Sequence, residues 1–128
     1  MSMNVLVVDD ERDTQELFLQ RFRKEIRAGR VTFHFALSGD EAMEYLKTGH
    51  TAEYLLILSD INMPGMSGFE LLKKIRESFG PLKVYMITAY DDAEKQQCAV
   101  EYGADGYMCK PIDFDELKYE IFGADATL

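Results

Sequence analysis

The chain has 128 residues, a length that suits one domain around one core. Hydrophobic residues make up 47%, with eight Phe and seven Tyr, and at this size roughly two thirds of the unfolded surface can leave water. A net charge of −9 and a pI near 4.6 argue against a nonspecific nucleic-acid binder, which carries the opposite balance, but allow a basic partner or a cation held by clustered carboxylates.

No apolar run approaches the length of a membrane-spanning helix. The start, MSMNVLVVDD, lacks the basic region and long apolar stretch of a signal peptide. The two cysteines, Cys98 and Cys109, are expected as reduced thiols in or near the core. A soluble, cytoplasmic protein is therefore expected.

In chain order, NVLVV (4–8) is short, apolar and β-branched, and predicts a strand. The segment 11–29 predicts a helix, with Phe18, Phe22 and Ile26 every four residues and Gly29 at its end. VTFHFAL (31–37) predicts a strand, and 38–49 a helix with Ser38 as N-cap, Glu41 three residues on and Gly49 at its end. YLLILS (54–59) predicts a strand apolar on both faces, followed by a helix over 67–80. LKVYMIT (82–88) predicts a strand, 91–103 a helix, GYMCK (106–110) a short strand, and 113–123 a last helix with Phe114, Leu117 and Ile121 on one face. The tail 124–128 is expected to fray.

Five strands thus alternate with five helices. Strands apolar on both faces and linked by helices imply a parallel sheet covered on both sides. Right-handed crossovers leave few topologies, and the flavodoxin-like, doubly wound α/β order 2-1-3-4-5 is the expected one. Ligands bind such sheets outside the carboxyl ends of the strands. Standing there are Asp9, Asp10 and Glu11 after the first strand, Asp60 after the third, Thr88 at the end of the fourth and Lys110-Pro111 at the end of the fifth.

Carboxylates brought together repel one another unless a cation joins them, and one lysine cannot neutralise three. Oxygen ligands with room for water favour Mg²⁺, so a Mg²⁺ site of Asp9 or Asp10 with Asp60 is expected. A metal beside a lysine and a hydroxyl suits a phosphoryl group, with Lys110 on its oxygens and Thr88 donating a hydrogen bond. Asp60 could then act as a nucleophile that carries the phosphoryl group. The Pro-Gly of NMPGMSG would shape the loop, and Asn62 either offers its backbone carbonyl to the metal or favours the turn through its side chain.

VLVVDDE (5–11), LSDINMPGMSG (58–68), ITAY (87–90) and YMCKP (107–111) stand in this order, each at a predicted strand end. With them the chain resembles the receiver domain of two-component response regulators over residues 1–123. The resemblance implies that Asp9 and Asp10 form an acidic Mg²⁺ pocket and that Asp60 accepts the phosphoryl group. It makes Thr88 the switch hydroxyl, Lys110 the phosphate-binding lysine and Tyr107 the switch aromatic, with a cis Lys110-Pro111 bond. Read on its own, Tyr107 could equally be a core aromatic with its hydroxyl at the surface.

The implied donor is a phosphohistidine of a sensor histidine kinase or phosphotransfer protein. Neither His34 nor His50 sits in a pattern that would make it the donor. Slow hydrolysis would reset the site without turnover of any external substrate, so the chain is not expected to be an enzyme in that sense. Bulky Tyr90, with Asn62, would flank the path of the attacking water and slow it. The face formed by the fourth predicted helix, the fifth strand and the last helix would then change and speak to an unknown output domain or protein. A monomer, or a homodimer formed through that face on phosphorylation, is implied, with no direct nucleic-acid or membrane contact.

Three other readings share parts of this pattern. A metal-independent pseudo-receiver, acting purely as an interaction module, would have lost one of the five key residues present here. A flavodoxin-type FMN binder needs a Ser/Thr/Gly-rich loop where Asp9, Asp10 and Glu11 stand. A haloacid-dehalogenase-type phosphatase needs a second acid where Asn62 stands. The last helix carries Lys118 but lacks the arginine typical of receivers that drive winged-helix dimers, and similarity to receivers joined to enzymatic outputs is only loose. The chain is expected to be either a regulator acting alone or a piece of a longer protein.

Overall fold

The computed structural model describes residues 3–48, 55–89 and 92–123. Five parallel strands, β1 (Met3–Val8), β2 (Val31–Ala36), β3 (Leu55–Asp60), β4 (Lys83–Ala89) and β5 (Gly106–Lys110), form one sheet in the order β2-β1-β3-β4-β5. The class, the parallel pairing and the strand order are those expected from the alternation of elements.

The helices are α1 (Arg12–Arg21), α2 (Arg23–Arg27), α3 (Gly39–Lys47), α4 (Gly68–Phe79), α5 (Ala93–Glu101) and α6 (Phe114–Phe122). The described residues therefore hold six helices where the sequence reading has five, because the segment 11–29 is broken at Phe22. Phe22 leaves helical geometry, with φ −106° and ψ 19°. Its N–H still donates to the Phe18 carbonyl at 3.0 Å, and the Ile26 N–H donates to the Phe22 carbonyl at 2.9 Å. Phe22 is fully buried there, with its ring 4.8 Å from Phe33 and 6.1 Å from Phe114. The four-residue apolar spacing runs unbroken across this bend, so periodicity alone could not reveal it.

Period-two alternation divides the sheet between two cores. Val5 and Val7 of β1 face one side, where Phe18, Phe22, Phe114, Leu117 and Ile121 of the α1, α2 and α6 region pack. Leu6 and Val8 face the other, against Leu46, Leu71, Ile75 and Ala99 of α3, α4 and α5. Burying each large apolar side chain contributes about 1.5–3 kcal/mol, so both faces hold the sheet rigidly beneath its carboxyl edge. Four of the described helices, α3 to α6, start where a short polar side chain caps them. The Ser38 hydroxyl accepts the Glu41 N–H at 3.1 Å, as expected, and Ser67 accepts that of Glu70 at 3.2 Å.

Cys98 and Cys109 are free thiols, each partly buried. Among the described residues no helix is long and apolar enough to cross a membrane. Gly49, His50, Tyr54, Tyr90, Asp91 and the tail 124–128, on which parts of the sequence reading fall, lie outside the described residues.

Candidate functional site

The sheet order reverses direction between β1 and β3, and the carboxyl ends of these two strands open a crevice there. β1 delivers Asp9 to it, only 5% exposed. The Asp9 N–H donates to the Ala36 carbonyl at 3.0 Å, which continues the ladder one step past the strand. Its carboxylate accepts the Glu11 N–H at 2.9 Å and the Thr14 hydroxyl at 3.1 Å, so both oxygens are fixed in direction. Asp10 beside it is exposed.

β3 ends at Asp60, buried at 6% exposure. The loop beyond is tied twice. The Ile61 N–H donates to the Ile87 carbonyl at 3.2 Å, and the Gly68 N–H closes the loop onto the Ile61 carbonyl at 2.9 Å. Inside it, Pro64 is followed by Gly65 at φ +75°, the pairing a type II turn requires. β4 brings Thr88 one position past the partner of Asp60, and β5 brings Lys110, followed by a cis bond to Pro111 as the resemblance implied.

The structure brings four of the expected groups together. Asp9, Asp10 and Asp60 each offer a carboxylate oxygen, and these atoms lie within 4.8 Å of one another. Lys110 Nζ stands 2.9 Å from Asp60 Oδ2 and 3.8 Å from Asp9 Oδ2. Burial raises the pKa of Asp60; Lys110 pulls it back, Asp9 raises it further and the Asn62 N–H lowers it, and the balance stays above the ordinary aspartate value. Burial works to lower the pKa of Lys110, but Asp60, Asp9 and Glu11 outweigh it, so the ammonium is held more firmly than usual.

Thr88 stands at the same sheet edge, 2% exposed, and its buried Oγ1 has no hydrogen-bond partner among the described residues. An unsatisfied buried hydroxyl costs about 1–3 kcal/mol, so its position wants an acceptor that the described residues do not supply. Three carboxylates set against one ammonium likewise leave the crevice short of positive charge. The donors are all oxygens, and this set fits a hard divalent cation such as Mg²⁺.

Other expected residues stand differently. Glu11 is exposed; its N–H donates to Asp9, and its carboxylate acts on the site only through its charge on Lys110. The Asn62 N–H donates to Asp60, and its side-chain Oδ1 accepts from the Lys95 ammonium. Tyr107 is 41% exposed and lies outside the carboxylate cluster, lining a shallow pocket with Cys109, Pro111 and Glu116. Sequence reasoning missed Thr14 and Lys95. Nothing in the residue order marks Thr14 as a partner of Asp9. Lys95 carries a faint signal, since a cation in the first turn of a helix opposes the helix dipole.

The fold and the crevice together define a doubly wound α/β domain with an acidic site at its topological switch point. The family model of the response regulator receiver domain matches residues 5–122, and the chain belongs to that family. It is 33% identical over 115 residues to response regulator RppA of Synechocystis sp., covering 90% of this chain but 47% of that protein, so it spans less than half of that relative. It is 32% identical over 118 residues to sporulation initiation phosphotransferase F of Bacillus subtilis, covering 92% of this chain and 90% of that one. Among solved structures it is similar to the receiver domain of Ssk1 from Saccharomyces cerevisiae, crystallised with the histidine phosphotransfer signaling protein Ypd1. That match has a TM-score of 0.78 at 27% identity and covers 94% of this chain and 86% of the other.

Proposed function

We propose that this receiver domain takes a phosphoryl group onto Asp60 from a phosphohistidine of a sensor kinase or phosphotransfer protein, and releases it slowly by hydrolysis. One observation carries the reading. Three carboxylates and an ammonium converge on one crevice, and a buried hydroxyl without a partner among the described residues stands at the same sheet edge.

Asp60 Oδ attacks phosphorus, a new P–O bond forms, and the P–N bond to the donor imidazole breaks. Lys110 is already within hydrogen-bond reach of Asp60 and would move onto a phosphoryl oxygen as that charge appears. Thr88 Oγ1 would donate to another, which ends its unsatisfied state. Asp9, Asp10 and Asp60, with the backbone carbonyl of Asn62, would hold Mg²⁺. When bound, Mg²⁺ neutralises the crowded oxygens. Hydrolysis then breaks the bond to Asp60 and returns inorganic phosphate, with no external substrate turned over.

Movement of Thr88 toward the phosphoryl group would free space near Tyr107 and alter the face of α5, β5 and α6. That face would address an output domain or protein, either directly or through a homodimer, in the cytoplasm. Relatives of greater length fit such an output, and the Ypd1 complex fits a phosphotransfer partner.

Incubation with acetyl phosphate, with and without Mg²⁺, followed by intact-mass measurement tests this. A single Mg²⁺-dependent phosphoryl addition, lost in Asp60→Asn, is expected. Labelling that persists in Asp60→Asn, or that ignores Mg²⁺, would overturn it.

A further inference from the structure

We propose that Lys95 is a positioning residue that lengthens the life of the phosphoryl group on Asp60 by acting through Asn62. This rests on the phosphoacceptor reading above. Lys95 is the third residue of α5, and its ammonium donates to Asn62 Oδ1 in the loop after β3. The Asn62 N–H in turn donates to Asp60. A chain of two hydrogen bonds therefore links α5 to the nucleophile.

Local helix physics gives a lysine at this position only weak support. The first turn of a helix is the positive end of its dipole and favours acids. The N-terminal N–H of Lys95 is already capped by the Asp92 carboxylate at 3.0 Å. That carboxylate's other oxygen stands 3.9 Å from the ammonium, a loose pair on side chains about one third exposed. Asn62 is the firmer partner, and it lies next to the site rather than on the helix.

The direction of the effect follows from what hydrolysis needs. A water oxygen must attack phosphorus while the bond to Asp60 breaks; Asp60 leaves as carboxylate, and inorganic phosphate and a proton go to solvent. A side-chain carbonyl oxygen beside the phosphoryl group can orient that water by accepting its hydrogen. Asn62 has one such oxygen, and the Lys95 ammonium takes one of its two acceptor positions and holds the side chain turned toward α5. Removing the ammonium frees the side chain to turn that oxygen toward the water and speeds loss of phosphate.

The variants Lys95→Met, Lys95→Arg, Asn62→Ala and the double variant Asn62→Ala/Lys95→Met test this. Each is phosphorylated with acetyl phosphate, the donor is removed, and the decay of label is followed by intact mass. Lys95→Met is expected to shorten the lifetime about three- to tenfold, and Lys95→Arg to restore it. In the Asn62→Ala background Lys95→Met should change nothing. In unphosphorylated protein, the Asn62 side-chain amide resonances should shift in Lys95→Met and return toward wild type in Lys95→Arg. An unchanged or longer lifetime in Lys95→Met would overturn the proposal. So would equal acceleration without the Asn62 side chain, or amide resonances that do not move. Label that forms normally but ignores Lys95 sinks this proposal alone, whereas a wild-type chain that takes no label sinks the phosphoacceptor reading and this proposal with it.

Discussion

Gly68→Ala should damage the protein although it places a better helix former in α4. The exchange is worth about 1 kcal/mol in a helix interior, but Gly68 is the first residue of α4, where it gains little. Against that stands the geometry at the site. A Cβ on Gly68 would lie 2.7 Å from Met86 Cε and 2.8 Å from Ile61 Cα, and closer still to the Asp60 carbonyl oxygen. Two of these three neighbours are backbone and cannot rotate away, so α4 or the end of β3 must shift. Overpacking of this kind costs about 1–3 kcal/mol, and backbone obstacles put it at the upper end. The net loss should be about 2–3 kcal/mol, or about 6–15 °C in unfolding midpoint for a chain of this size. Because the displaced atoms include the Asp60 backbone, stabilisation by Mg²⁺ should weaken as well. Thermal unfolding by circular dichroism, with and without Mg²⁺, reads both effects. Gly39→Ala is the control, since its Cβ would press 2.6 Å from Met66 Sδ, the end of a flexible side chain that can yield. A Gly68→Ala protein as stable as wild type, or more stable, would refute the claim that this close approach fixes Asp60.

Mg²⁺ at about ten times its dissociation constant should stabilise the wild type by about 1.4 kcal/mol, and Asp9→Asn should lose most of that gain in urea titrations. In EDTA at neutral pH, Asp60→Asn should unfold at an equal or higher urea concentration than wild type, because burial makes the ionised Asp60 carboxylate costly; a clear loss would contradict that. The Tyr85 hydroxyl donates to Glu120 at 2.8 Å, and burial together with that carboxylate pushes its pKa up to about 12. The folded state thus holds this proton more tightly than the unfolded chain, whose tyrosine pKa is about 10, so the contribution is whole below about pH 10 and is lost as pH rises through about 12. Tyr85→Phe should therefore lose less stability than wild type over that window, and parallel curves would contradict the pairing. Arg76 donates to the Gly80, Leu82 and Gly103 carbonyls and to Asp105, clamping α4 to the entry of β4 and β5. Arg76→Met should cost about 2–3 kcal/mol by chemical unfolding while leaving Mg²⁺ affinity unchanged.

The sheet was readable because its signals are local and repeated. Valine-rich β1 and the apolar run of β3 can only be strands buried on both sides, and the alternation with helices then limits the order. The acidic crevice was readable for a related reason. Asp9, Asp10, Asp60, Thr88 and Lys110 each stand at a strand's carboxyl end, so topology alone brings them to one edge. The break at Phe22 was hidden because its cause is tertiary, the burial of one ring among Phe33 and Phe114 from other elements. Thr14 and Lys95 were hidden for the same reason. Their partners, Asp9 and Asn62, are chosen by side-chain reach across the folded edge, which no spacing in the sequence encodes.

The central claim is that Asp60 carries the phosphoryl group. Borohydride reduction of the acetyl-phosphate-treated protein, followed by peptide mass mapping, tests it most directly, because an aspartyl phosphate is reduced to homoserine at its own position. Homoserine at position 60, formed only with Mg²⁺, is the predicted result. Reduction at Asp9, at Asp10 or at no aspartate in a protein that has taken label would contradict it.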